Sequence, residues 1–312
     1  MNLPIPAGAI PLADPVHDRR HRLRDLPLER ESMPYVISLP EHGIATCIYT
    51  WVTKDHVAGS LFVACGPGVG DTPIVEAVDG VNVGPDRDFD DWRIGALHLV
   101  QDGRLETARI RGSGARIELD ASFEGMHPAY AYGFHAQGCP AYAATDRLEQ
   151  SGRVRGHLVV DGRRIDFDTT GARDHSWGTR DWDYPQHWKW LHAQAGGTAV
   201  HVWQIFVAGR IDLRGYVHRD GLMAEITGFD VAFETDAELR HRSIDARLHD
   251  RAGRQTRVTG QFFAHFPLQP VPSCTLLEGA MRCEIAGHPG AGWTEFMWPT
   301  AYLQHLRTQR RA

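Results

Sequence analysis

Read for alternation of hydrophobic and polar positions, the chain is dominated by period-two segments. Tyr35-Val-Ile-Ser-Leu39 and Ala45-Thr-Cys-Ile-Tyr-Thr-Trp-Val52 are rich in β-branched and aromatic residues, which suit a pleated, half-buried surface. In Arg164–Asp168, Ile165 and Phe167 point one way while Arg164, Asp166 and Asp168 point the other. Asp-Gly pairs separate such runs three times. Asp102-Gly103 lies between Ala96–Val100 and Leu105–Arg111. Asp161-Gly162 lies between Val154–Val160 and Arg164–Asp168, and Asp220-Gly221 between Ile211–His218 and Met223–Phe229. Asp-Gly signals a hairpin because a type I′ turn needs positive φ at both central residues. Looser turns at Asp250–Gly253 and His288–Gly292 are expected to join the later strands. Helical spacing is confined to a weak trace from Tyr302 to Leu306.

The pattern predicts an all-β chain of large antiparallel sheets or barrels. The hairpins divide near residue 170, giving β-units at 35–170 and 171–312. Residues 1–34 carry prolines at 4, 6, 11, 15, 27 and 34 and read as a surface arm with one short helix at 16–26. Within that arm His17–Asp25 interleaves both signs of charge, the mark of a solvated face.

Composition narrows the function classes. The 312 residues carry a net charge of −6, which gives no basic footprint for nucleic acid. Of 33 basic residues only Lys54 and Lys189 are lysines. No apolar run approaches the roughly 18 residues that a transmembrane helix requires, and the N-terminus has no cationic and apolar leader pattern. The five cysteines form no C-x-x-C pair, so a disulfide framework is not expected and a reducing cytoplasm is the simplest location. The histidines show no H-E-x-x-H or H-x-H spacing, so neither a metal nor another cofactor is expected. Gly66-Pro-Gly-Val-Gly70 lacks the Lys and Ser/Thr of a phosphate loop, and no G-x-S-x-G elbow occurs.

Chemistry concentrates in Gly171-Ala-Arg-Asp-His-Ser-Trp-Gly-Thr-Arg-Asp-Trp-Asp183. If its first part is extended, Arg173, His175 and Trp177 share one face and Asp174 and Ser176 the other. An imidazole against an indole wall is a titratable group in an apolar setting, suited to proton transfer. Trp182, Trp188, Trp190 and Trp203 follow closely, with His187, His192 and His201 among them. Strands at Trp188–Gln194 and Ala199–Val207, joined at Gly196-Gly197, would gather these rings into a pocket for a bulky apolar ligand. Trp92, among the carboxylates of Arg87–Arg93, and Tyr130, in a Tyr/His-rich stretch, are further candidates for binding. The bland alternative makes Arg173–Asp174 and Arg180–Asp181 structural ion pairs and the tryptophans core. The residues alone leave both open.

The run G-x-R-D-H-S-W-G-x-R-D-W over Gly171–Trp182 resembles the hydroxyneurosporene synthase (carotenoid 1,2-hydratase) and AttH-like group. Ser151–Gly162 and the stretch from Leu277 to Glu295 fit the same pattern. The resemblance implies two tandem lipocalin-like (calycin) antiparallel β-barrels and chemistry on hydrophobic, isoprenoid-like molecules. It places the His-x-Trp pair of the hydratases at His175 and Trp177. The corresponding later strand reads His201-Val-Trp-Gln204, without the Asp those enzymes carry. Asp174, Asp181, Asp183 or His175 is left as the acid–base group.

The resulting expectation is a cofactor-independent lyase, isomerase or cyclase acting on a bulky hydrophobic or aromatic substrate. Asp174, His175, Trp177, Arg173, Arg180 and Asp181 form its catalytic set. Trp182, Trp190, His201, Trp203, Gln204, Trp92 and Tyr130 form its binding wall. The alternative is a non-catalytic carrier of hydrophobic small molecules. The partner in either case is a small molecule, and assembly into a homo-oligomer is an open expectation.

Overall fold

The computed structural model describes residues 10–311. It is almost entirely antiparallel β-structure in two compact units, one spanning Leu12–Arg180 and the other beginning at Asp181.

The first unit holds β1 (Glu29–Leu39), β2 (Ile44–Thr53), β3 (Val57–Cys65), β4 (Ile74–Asn82), β5 (Trp92–Ile94), β6 (Leu97–Gln101), β7 (Thr107–Ser113), β8 (Ile117–Gly125), β9 (Tyr130–Ala131), β10 (Asp146–Val160) and β11 (Arg163–Thr179). They form one sheet in the order β4-β3-β2-β1-β11-β10-β8-β7-β6-β5, with β9 beside β10. The sheet curls until Ser60 of β3 donates to the Ile94 carbonyl of β5 at 2.9 Å. Ile37, Ile48, Phe62, Trp92, Ile110, Leu119, Phe123 and Leu158 fill the ring. Burying such side chains contributes roughly 1.5–3 kcal/mol each.

The second unit is a closed barrel of β12 (His187–Ala195), β13 (Thr198–Val207), β14 (Arg210–Arg219), β15 (Leu222–Thr235), β16 (His241–Asp250), β17 (Gln255–Val271), β18 (Cys274–Ile285) and β19 (His288–Pro299). Strand β19 returns to pair with β12, which removes the free edges. Its core is aliphatic, with Leu191, Val200, Val202, Val217, Ile244, Leu248 and Ile285. The C-terminal periodicity becomes α1 (Thr300–Arg311), which buries Leu303 against Leu239 and Leu277.

The two later Asp-Gly hairpins form as expected, with φ of 48° and 78° at Asp161 and Gly162 and of 56° and 73° at Asp220 and Gly221. The first does not. Positive φ falls on Gly103 and Leu105, and the Asp102 carboxylate accepts from the N–H groups of Arg104 and Thr107, making a wider loop. The turn expected at 288–292 lies at Ala286-Gly287, and β19 already begins at His288.

Two boundaries differ from the sequence reading. Strand β11 runs unbroken through 170/171, hydrogen-bonded to β10 on one side and β1 on the other, which places the motif in the first unit. The described part of the arm runs mostly over the surface, but it is anchored at buried points. Its only regular turn is a 3-10 helix at Pro15–Asp18, and β1 starts at Glu29. Asp18 is buried because it receives the Leu105 N–H and pairs with Arg173 inside the ring. Asp18 thus takes a tertiary partner, while Arg19, Arg22, Arg24 and Asp25 stay exposed.

Candidate acid–base site

The site is built where β1 and β11 lie side by side. Alternation puts Glu29, Glu31, Met33 and Tyr35 on one face of β1, and Arg173, His175 and Trp177 on the same side of β11. The segment before β1 crosses this end of the ring and delivers Asp18 and His21 to it.

His175 Nε2 and His21 Nδ1 each lie 2.7 Å from the same oxygen, Oε1 of Glu31. Glu31 also receives the His21 backbone N–H at 3.1 Å. An ionised carboxylate only accepts, so both imidazoles donate to it. His21 Nε2 is thereby left as an acceptor and meets Nδ1 of His17 at 2.9 Å. The result is a chain of four groups, His17–His21–Glu31–His175. At its inner end His175 Nδ1 is buried and has no hydrogen-bond partner among the described residues.

The electrostatics follow from burial and pairing. Burial pushes the Glu31 carboxyl up, but the hydrogen bonds from His175 and His21 outweigh it and hold it below the usual carboxylate range. Burial lowers His21, against the pull of Glu31, and His175 adds to the lowering. His17 is lowered by burial and by His21. Asp146 faces these histidines, and burial raises its carboxyl despite N–H groups donated by Arg147 and Gly133.

Trp177 is not an open wall. His21 lies on its face with centroids 3.6 Å apart, and His17 stacks at 4.9 Å. The indole fixes the ring that donates to Glu31. His21 also lines a cavity of about 650 Å³ together with Arg20, Arg22, Lys54, His56 and Arg87. Asp86 and Asp88 also line it, so the cavity carries both signs of charge, unlike the tryptophan-walled pocket that was expected.

The remaining predicted residues divide by strand face. Arg173 does not hold Asp174; neighbours on a strand point apart. Its guanidinium donates to Gln150, Gln101 and Asp18, a network that also contains the Tyr35 hydroxyl. On the opposite face Asp174 pairs with Arg147 at 2.5 Å, and Arg147 also binds Glu149 at 2.6 Å. Arg180 donates to Ser176, which meets Ser32 across the strands. Asp181 accepts from the N–H groups of Asp183 and Tyr184 and so caps a turn.

Trp92 is sealed in the first core, its Nε1 donating to Thr50. Tyr130 is buried opposite Glu149 in the β9–β10 pair. In the second unit the β12–β13 hairpin sets Trp190 opposite Trp203 and His192 opposite His201. Trp188 meets Trp203 edge to face at 5.5 Å, and Trp182 lies 5.8 Å from Trp188. These rings occupy the wall face opposite the aliphatic barrel core. Gln204, opposite Lys189, is half-buried.

Sequence reasoning missed Asp18, His21, Glu31 and Asp146. One signal was present: Glu29-x-Glu31-x-Met33-x-Tyr35 continues the period of β1 into the arm. His21, Glu31 and His175 are also a donor set for a divalent ion, with ligand atoms within 4.8 Å of one another. An ion there would replace the two protons that now bridge to Glu31.

Fold and site together define a tandem antiparallel β-barrel protein carrying a histidine–carboxylate relay. The chain belongs to the family described as a domain of unknown function (DUF7064), whose pattern matches residues 14–300. No curated protein matches it. Among solved structures it is similar to a protein assigned as an AttH from Nitrosomonas europaea. That match has 15% identity and a TM-score of 0.62, and covers 86% of this chain and 92% of the other. It is similar to CghA, solved with Sch210972, at 13% identity and a TM-score of 0.61, covering 88% and 89%. Kievitone hydratase from Nectria haematococca matches at 10% identity and a TM-score of 0.58, covering 94% of each chain. At these identities the likeness is one of fold. No helix among the described residues is long and apolar enough to cross a membrane.

Proposed function

We propose that the chain is an acid–base catalyst of the hydratase or cyclase type, acting on a bulky hydrophobic substrate without a cofactor. The observation that carries this reading is the Glu31 carboxylate shared by His21 and His175. A carboxylate that holds one imidazole tautomer makes its far nitrogen a better base. His21, lowered by burial, is a neutral imidazole near pH 7 and can pass a proton outward through His17. Asp146, raised by burial, is the candidate for the opposite role of acid. Water or an activated carbon would lose its proton to the His17–His21 end, and an alkene or leaving oxygen would gain one from a protonated partner. The cavity beside His21, lined by both basic residues and the carboxylates of Asp86 and Asp88, suits a substrate with a polar end. Kievitone hydratase, similar in fold, carries hydration in its name, which is consistent with this chemistry.

The test is a panel of isoprenoid and aryl alkenes incubated with the protein in D2O. Hydration adds one D2O to the substrate, and cyclisation gives an isomer. Loss of turnover in both Glu31→Gln and His21→Ala, with the fold retained, supports the reading. Tight binding with no conversion in the wild type would make the protein a carrier instead.

A further inference from the structure

Glu31 differs from the other buried acids of the first unit in what it is paired with. Asp18 holds Arg173, Glu29 holds Arg24, and Glu149 and Asp174 share Arg147. The Glu31 side chain is wholly buried, yet among the described residues no arginine or lysine pairs with it. Arg20, on the segment that crosses this end of the ring, is turned instead to His56 Nδ1 at 2.7 Å and to the Gly84 and Arg87 carbonyls. A buried carboxylate is stable when it meets a full positive charge or coordinates a metal ion. Glu31 is offered two imidazoles and one backbone N–H.

The same groups make a donor set with three protein ligands. His21 Nδ1, His175 Nε2 and a Glu31 oxygen lie within 4.8 Å of one another. Each nitrogen stands 2.7 Å from Oε1. Zinc-class ions sit about 2.0–2.2 Å from such atoms, so tetrahedral neighbours lie roughly 3.3 Å apart. A retreat of about half an ångström by each ring therefore admits an ion. Two imidazoles favour the zinc end of the divalent metals over magnesium and calcium, which take oxygen ligands.

The surroundings hold these ligands in place. Pairing of β1 with β11 turns Glu31 and His175 to one side, and stacking on Trp177 at 3.6 Å fixes the His21 ring. A ligating imidazole characteristically donates its far N–H to an outer partner. With His21 Nδ1 on a metal, the ring proton resides on Nε2, 2.9 Å from His17 Nδ1, and that hydrogen bond reverses its direction. Asp146 adds a second carboxyl facing both histidines. His21 is 17% exposed and lines the cavity whose wall carries Asp86 and Asp88, which gives an ion a way in.

We propose that His21, Glu31 and His175 form a binding site for one divalent ion of the zinc class, with the remaining position open to water. The ion and the proton relay compete for the same three atoms, so the ion-loaded chain is the silent form. That last consequence, unlike the site itself, rests on the proposed relay chemistry.

The full-length chain is stripped of metal and titrated with zinc chloride against a chromogenic chelator. One ion per chain is expected, bound at least a hundredfold more weakly by His21→Ala and by Glu31→Gln. X-ray absorption on the zinc-loaded wild type needs no substitution, so it decides the matter even where a variant fails to fold. Two imidazoles and one carboxylate are expected around the ion. A wild type that takes up no stoichiometric zinc, an affinity unchanged in Glu31→Gln, or a spectrum with thiolate or a single imidazole would overturn the proposal. Turnover with and without zinc separates the two readings: a bound ion with undiminished turnover leaves the site standing and removes the relay.

Discussion

His21 lies flat on Trp177, the ring planes 6° from parallel and the centroids 3.6 Å apart. The contact joins a residue that looked like part of a solvated arm to the most distinctive motif in the sequence. It also makes Trp177 a reporter of His21 protonation. Burial places the His21 transition below the ordinary histidine value of 6.5. The expected difference spectrum, wild type minus Trp177→Phe, loses fluorescence as pH falls through this lowered transition. The His21→Phe variant shows no such step. A step unchanged in His21→Phe would show that another group quenches the indole.

Glu31→Gln tests the shared carboxylate. The Glu31 pKa is depressed in the fold, so its stabilisation is full above the unfolded value of 4.5 and is lost as pH falls through the lower folded value. At pH 7 the substitution is expected to cost about 1.5–3 kcal/mol, the scale of a hydrogen bond to a buried charged group. Urea midpoints measured from pH 7 to pH 3 should converge at the acid end. Parallel curves would mean that Glu31 does not titrate as argued.

Below the motif strand, Arg147 bridges Glu149 and Asp174. Arg147→Met leaves two buried carboxylates facing each other and is expected to cost about 3–5 kcal/mol. Adding Asp174→Asn should recover a measurable part of that loss, because one of the two charges is gone. Thermal unfolding of the single and double variants gives the coupling.

The second barrel should respond to acid above the window in which Glu31 titrates. Burial lowers His187 and His241 to about 3, so both stay neutral in the fold while the unfolded chain binds protons below 6.5. Stability is therefore full above pH 6.5 and falls progressively towards pH 3. His241→Gln should flatten the slope between pH 6.5 and 4.5, where Glu31 does not yet contribute. An unchanged slope there would assign the acid response to other groups.

Gly215 has φ of 145°, and a Cβ built on it would stand 2.1 Å from the His201 carbonyl oxygen. That oxygen belongs to the neighbouring strand and has nowhere to move. Gly215→Ala is expected to destabilise the barrel by about 2–4 kcal/mol. A denaturant midpoint equal to that of the wild type would show that the strand pair yields.

Most of the β-structure was legible because period two is local: each strand states its faces in its own residues. The face assignment of Arg173, His175 and Trp177 against Asp174 and Ser176 follows the same way. Partner choice was not legible. Arg173 and Asp174 are adjacent in sequence, yet one binds Asp18 and the other Arg147, residues that only the sheet order brings near. His21 and Glu31 were hidden by a charge pattern that looks the same on a solvated loop and in a satisfied interior network.

Strand β1 is made early, but its neighbour β11 ends at Thr179, which registers with Glu29 across 150 residues. Until that partner leaves the ribosome, the edge of β1 is bare and Glu31 has neither His175 beside it nor a wall behind it. Long-range pairings of this kind fold slowly. The relay is therefore among the last things the first unit acquires, and chains terminated before Trp177 should expose a charged strand instead of a site.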